Sequence, residues 1–160
     1  MNFFEQIKVG DVYALGSHTF GTDEIKSFAS RFDPQAFHMD EEAAKLSHFG
    51  ALCASGWHTA SVWMRLMVDF RKAEAEKFRA RGEPVAILGP SPGFRDLKWL
   101  KPVYVGDTIT YQSEITAMRL SQSRADFGLA TLFSFGTNQH IAPVISFVSA
   151  VFVPRLPQQQ

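Results

Sequence analysis

At 160 residues the chain is long enough for one domain with a full hydrophobic core and leaves little room for a second. Hydrophobic residues at 46% and charged residues at 20% exclude extended disorder away from the ends. Sixteen Lys and Arg balance sixteen Asp and Glu, so the basic excess expected of a nucleic-acid binder is missing, and nothing electrostatic opposes self-association. The single cysteine, Cys53, excludes an intramolecular disulfide and a thiolate-rich metal site, and suggests a reducing, cytoplasmic setting. Met1 to Gln6 lacks the basic-then-apolar order of a signal peptide, and no apolar run is long enough to cross a membrane. Fifteen phenylalanines imply a large apolar interior and a pocket or subunit interface lined with rings.

Val12 to Phe20 alternates loosely and predicts a first strand. Thr22-Asp23-Glu24-Ile25 opens a short helix, with Thr22 as the expected cap, acids at the positive end of the dipole, and Ile25, Phe28 and Ala29 on one face. Pro34 should stop it, because the residue before a proline is pushed out of the helical region. A loop from Asp33 to His38 follows, then a short acidic helix capped by Asp40. From Gly56 the chain reads as a helix that is apolar almost all round as far as Phe70, which predicts burial on nearly all sides. A solvated extension from Arg71 should end at Gly82.

The second half is strand-like: Val85 to Leu88, Phe94 to Leu100, Thr108 to Met118, Ser123 to Thr137 and Val144 to Val153, with turn chemistry at Pro102 to Asp107. Helices early and strands late give an α+β class, a sheet wrapped around one long helix. One domain spans residues 1–160, with its core at about 8–153 and a frayed tail expected at 154–160.

The segment Phe32-Asp33-Pro34-Gln35-Ala36-Phe37-His38 places a carboxylate and an imidazole five residues apart. If the loop folds back, the two can share one water as an acid–base pair, and the flanking phenylalanines would desolvate it and shift both groups towards neutrality. Taken alone, the same residues equally describe a loop cap and a half-buried structural histidine. Ser55-Gly56 opens the apolar helix. The first amides of a helix lack internal acceptors, and a glycine there lets a ligand carbonyl approach, which makes an oxyanion site; an ordinary serine cap has the same sequence.

Together, Asp33 to His38, the acidic helix after it, Ser55-Gly56, and Leu100-Lys101-Pro102-Val103-Tyr104-Val105-Gly106-Asp107-Thr108 resemble the MaoC-like dehydratases and (R)-specific enoyl-CoA hydratases, over about Lys8 to Val153. The family signature is Asp-x-Asn-Pro-hydrophobic-His, followed by His-Gly at the helix start. Asp33, His38 and Gly56 match it. Phe32, Gln35, Ala36 and Ser55 depart from it, at Gly, Asn, Pro and His positions respectively.

The resemblance implies a hotdog fold and syn hydration of enoyl thioesters, or the reverse dehydration. Asp33 and His38 would form the catalytic dyad, and Ser55 and Gly56 the oxyanion site. The substrate would be an acyl-CoA or acyl-carrier thioester, with no further cofactor and no metal. The resemblance also implies a homodimer or a dimer of dimers. Phe37, Trp57, Trp63 and Met64 are candidate acyl-pocket residues. Arg95, Lys98 and Lys101 are candidate phosphate contacts, and a solvated strand face explains those three equally well. Two rival functions keep the fold. A hotdog thioesterase would place its carboxylate on the central helix, where the apolar part offers only Asp69. A non-catalytic acyl-thioester-binding subunit would need no dyad.

Overall fold

The computed structural model describes residues 2–157. A short 3₁₀ turn at Phe4–Gln6 precedes β1 (Val12–Thr19), α1 (Thr22–Phe32), α2 (Ala36–Met39), α3 (Glu41–Leu46) and the long α4 (Gly56–Ala80). β2 (Gly93–Trp99), β3 (Thr108–Leu120), β4 (Phe127–Thr137) and β5 (Pro143–Pro154) complete the chain. The five strands form one sheet in the order β1-β3-β4-β5-β2, and every neighbouring pair is antiparallel. This is the expected hotdog layout.

Strands β3 and β4 alternate buried and less buried residues, so each turns one face inward. Ile109, Tyr111, Ile145 and Phe147 receive Trp63 and Met67 of α4. Trp63 Nε1 donates to Ser113 Oγ at 3.3 Å, and Ser113 and Ser134 share a hydrogen bond of 2.8 Å, so the polar atoms beneath the helix are satisfied.

Several expectations shift. Gly21, not Thr22, caps α1, and the Glu24 carboxylate accepts from the Gly21 amide at 2.7 Å. Asp40 does cap α3, accepting from Ala43 N at 2.8 Å. Val85 to Leu88 is not a strand. The segment runs beside β5, where Gly89 N donates to Phe152 O, and Pro90, without an amide proton, cannot extend a ladder. The tail predicted to fray from 154 is held further: Glu5 accepts from Arg155 Nε at 2.7 Å and from Leu156 N at 2.9 Å. Residues 158–160 of that tail lie outside the described residues. Finally, α4 is not buried all round. Its sheet-facing side chains are covered, but Trp57, Met64 and Val68 are exposed, because a single sheet can cover only one side of a helix.

Candidate active site

Pro34 ends α1 at Phe32 and leaves Asp33 as its C-cap, with its amide bonded to Ala29 O. The chain then turns into α2, which aims His38 inward. The segment Lys101 to Asp107 is not a sheet strand. It pairs with the approach to α4, through Ala54 N to Val103 O at 2.8 Å and the bridge between Cys53 and Tyr104. This pairing fixes Cys53, and the Cys53 carbonyl accepts from His38 Nδ1 at 2.7 Å. A carbonyl can only accept, so Nδ1 carries a proton, and Nε2 is the ring nitrogen left to face Asp33.

His38 Nε2 lies 3.5 Å from Asp33 Oδ2. Ser55 Oγ donates to the same oxygen at 2.7 Å, and Gln35 Nε2 donates to Oδ1 at 2.7 Å. Burial raises the Asp33 carboxyl. The hydrogen bonds from Gln35 and Ser55 and the charge of His38 together outweigh that, and hold it below its ordinary value. The expectation of a group moved towards neutrality is therefore corrected for Asp33. One reason is that Phe32 is 69% exposed and packs on Phe28. Phe37 does pack edge-on against His38, at 4.5 Å between centroids.

Ser55 caps α4, its Oγ accepting from Trp57 N at 3.2 Å while donating to Asp33. Ser55 O takes the amides of His58 and Thr59. The Gly56 N–H has no hydrogen-bond acceptor among the described residues, and it sits at the positive end of a 25-residue helix. A side chain on Gly56 would fall inside the Trp99 indole, which lies over it and packs edge-on against Trp57 at 5.1 Å.

These groups open on a cavity of about 510 Å³, a size suited to a small organic ligand. Asp33, Gln35 and His38 line it together with Gly56 and Trp57 of the helix start and with Trp99 and Lys101. Of the predicted acyl-pocket residues, Phe37 and Trp57 line it. Trp63 is buried in the core instead, and exposed Met64 lies outside the cavity. Of the predicted phosphate contacts, Lys101 lines it, whereas Lys98 does not, and Arg95 is paired with Asp96 at 2.6 Å beside a different groove. Sequence reasoning missed Trp99, Phe49 and the Cys53 carbonyl, which no local motif marks. No group of three or more metal-ligating side chains occurs among the described residues.

A model of the MaoC-like domain matches residues 6–131. The chain belongs to the MaoC-like domain family. It is similar to the crystal structure of a MaoC-like dehydratase from Rhodospirillum rubrum: 34% identity, a TM-score of 0.79, and coverage of 98% of this chain and 99% of that one. It is also similar to the (R)-hydratase from A. caviae involved in PHA biosynthesis: 25% identity, a TM-score of 0.65, and coverage of 96% and 99%. The uncharacterised protein YdeM of Bacillus subtilis is 27% identical over 151 residues, covering 94% of this chain and 98% of that protein. In this MaoC-like chain no helix is long and apolar enough to cross a membrane, among the described residues.

His58, one turn into α4, does not line the cavity. Its ring stacks on Phe28 at 4.6 Å and meets Phe20 edge-on at 5.1 Å, and its buried Nδ1 has no hydrogen-bond partner. Burial lowers its pKa; Glu24 opposes this and His18 adds to it. As pH falls below about 6.5, the unfolded chain takes up a proton that the folded one resists. The stability is therefore whole above that pH and is lost as pH drops towards the folded value. His58→Phe should flatten this acid slope, measured as urea midpoints at pH 7 and pH 5. An unchanged slope would show that the ring is not the acid-sensitive group.

Proposed function

We propose that the chain hydrates trans-2-enoyl thioesters to (R)-3-hydroxyacyl thioesters, and catalyses the reverse dehydration, with Asp33 and His38 as the acid–base pair. The observation that carries this reading is the convergence of Asp33 Oδ2, His38 Nε2 and the unengaged Gly56 amide on one cavity. The 3.5 Å gap lets one water sit about 2.8 Å from both Oδ2 and Nε2.

In the hydration direction, the Gly56 N–H and the helix dipole polarise the thioester carbonyl, which makes the β-carbon electrophilic. The Asp33 carboxylate takes a proton from the water as its oxygen bonds to that carbon. His38, entering as the imidazolium, gives its Nε2 proton to the α-carbon as the enolate collapses. The pair then stands as carboxylic acid and neutral imidazole, and one proton passed from Asp33 to His38 restores it. The Nδ1 bond to Cys53 O persists in both states of the ring, so its orientation holds through the cycle. Water and proton arrive from the same side of the substrate, which makes the addition syn. Lys101, on the cavity wall and without an ion-pair partner among the described residues, would meet a phosphate of the carrier. No protein cofactor is required.

The thioesterase reading lacks its carboxylate. Asp69 pairs with Arg65 at 2.7 Å on the outer face, and no acid of α4 lines this cavity. A homodimer fits the exposed Trp57, Met64 and Val68 of α4 together with edge strand β2, which exposes Phe94 and Trp99. Light scattering should give twice the mass of one chain; the mass of one chain would overturn the dimer.

Product analysis tests the reaction class. Incubation with trans-2-butenoyl-CoA in D₂O should give a 3-hydroxy product with deuterium and hydroxyl added to the same face, and no free thiol. Free thiol would make the protein a thioesterase. Binding without any product across short, long, branched and dicarboxylic enoyl-CoAs would make it a binding subunit.

A further inference from the structure

A second cavity, of about 90 Å³, lies between the C-terminal half of α4 and the sheet and shares no lining residue with the first. Its walls are mostly apolar, with Phe70, Ile115, Leu132 and Val151 among them. Two of its polar residues stand out. Arg71 is the one arginine or lysine that is not exposed and that has neither an ion pair nor a side-chain hydrogen bond, among the described residues. Among the described residues Tyr13 is the one tyrosine whose hydroxyl makes no hydrogen bond, whereas Tyr104 donates to Phe49 O and Tyr111 to Thr59 O. The acid on this wall, Glu74, is engaged by Lys77 at 2.7 Å, and Asn2 adds a neutral polar group.

The planar fork of this half-buried guanidinium matches a carboxylate. We propose that this cavity binds a short aliphatic monocarboxylate. The carboxylate would take the Arg71 guanidinium and the Tyr13 hydroxyl, and the tail would lie among Ile115, Leu132 and Val151. At about 90 Å³, against about 510 Å³ for the first cavity, the space suits a short tail. Burial disfavours the charge on the Arg71 guanidinium, and an anion beside it would offset that; the acids near the site are Glu74, engaged by Lys77, and Asp11, whose charge acts on Tyr13. The site is separate from the acid–base pair and does not depend on the reaction proposed above.

Calorimetric titration of the full chain with butanoate and pentanoate tests this, with butan-1-ol and octanoate as controls. One pentanoate should bind per chain, and octanoate and butan-1-ol should bind more weakly. Arg71→Met should weaken pentanoate binding about tenfold or more, Arg71→Lys less, and Tyr13→Phe a few-fold. Asp33→Asn should leave it unchanged. Equal affinity for butan-1-ol, full binding by Arg71→Met, loss of binding in Asp33→Asn, or no binding by the wild type would each overturn the proposal.

Discussion

Asp33→Asn is expected to lower kcat/KM for enoyl-thioester hydration by about 10²- to 10⁴-fold while the fold is kept, because it removes the base and leaves the cavity its shape. Asn can still accept from Ser55 Oγ, and the exposed Gln35 can turn its amide oxygen towards the new NH2, so the loop geometry survives. His38→Ala should cost as much, since it removes both the proton donor and the group that faces Asp33 at 3.5 Å. The pH profile adds a signature. Asp33 sits below its ordinary value because Gln35 and Ser55 donate to it, so the wild-type acid limb should fall below the usual carboxylate range. Ser55→Ala removes one donor, so that limb should move to higher pH, with a loss of about tenfold. Asp33→Asn with wild-type activity would remove the dyad from the mechanism.

Gly56→Ala is the second large effect. The new methyl would occupy the place of the Trp99 ring, so either the indole swings out or the first turn of α4 tilts. Trp99 is 47% exposed and has somewhere to go, but it then gives up its contact with Trp57. Either movement disturbs an amide that must lie within hydrogen-bond distance of the developing oxyanion, and loss of one such donor costs about 10²- to 10³-fold. The expected fall in kcat is therefore about 10²-fold, with a smaller change in KM. Adding Trp99→Ala to Gly56→Ala relieves the clash and should recover a large part of the loss. Full activity in Gly56→Ala would place the oxyanion donor elsewhere. A loss that Trp99→Ala does not relieve would mean that the methyl blocks the substrate itself.

Much of this was legible in the chain because it is local. The long strands announce themselves by β-branched and aromatic residues at alternating positions, Asp40 as a cap, and Pro34 as the stop that leaves Asp33 at a helix end. The spacing of Asp33 and His38 made them candidates for one site, and Gly56 at the head of an apolar helix marked an amide without an acceptor. What could not be read is what distant segments do to one another. Ser55 reaches Asp33 across 22 residues, and the Cys53 carbonyl that sets the His38 tautomer is held by pairing with Tyr104. Gln35, a departure from the family signature, proves to donate to Asp33 Oδ1. Residues Val85 to Leu88 have strand composition but run into Gly89-Pro90, and the apolar circumference of α4 says that the helix must be covered without saying that one sheet cannot do it. Arg71 read as the start of a solvated stretch, because a sequence does not show that its guanidinium lies half-buried against a cavity.

The most direct test of the central claim follows the conjugated double-bond absorbance of a panel of trans-2-enoyl-CoAs with wild type, Asp33→Asn and His38→Ala, a thiol reagent reporting in parallel. The wild type should consume at least one member of the panel without releasing thiol, and both variants should lose this by about 10²-fold or more. Consumption that persists in both variants, or thiol release in place of hydration, would contradict it.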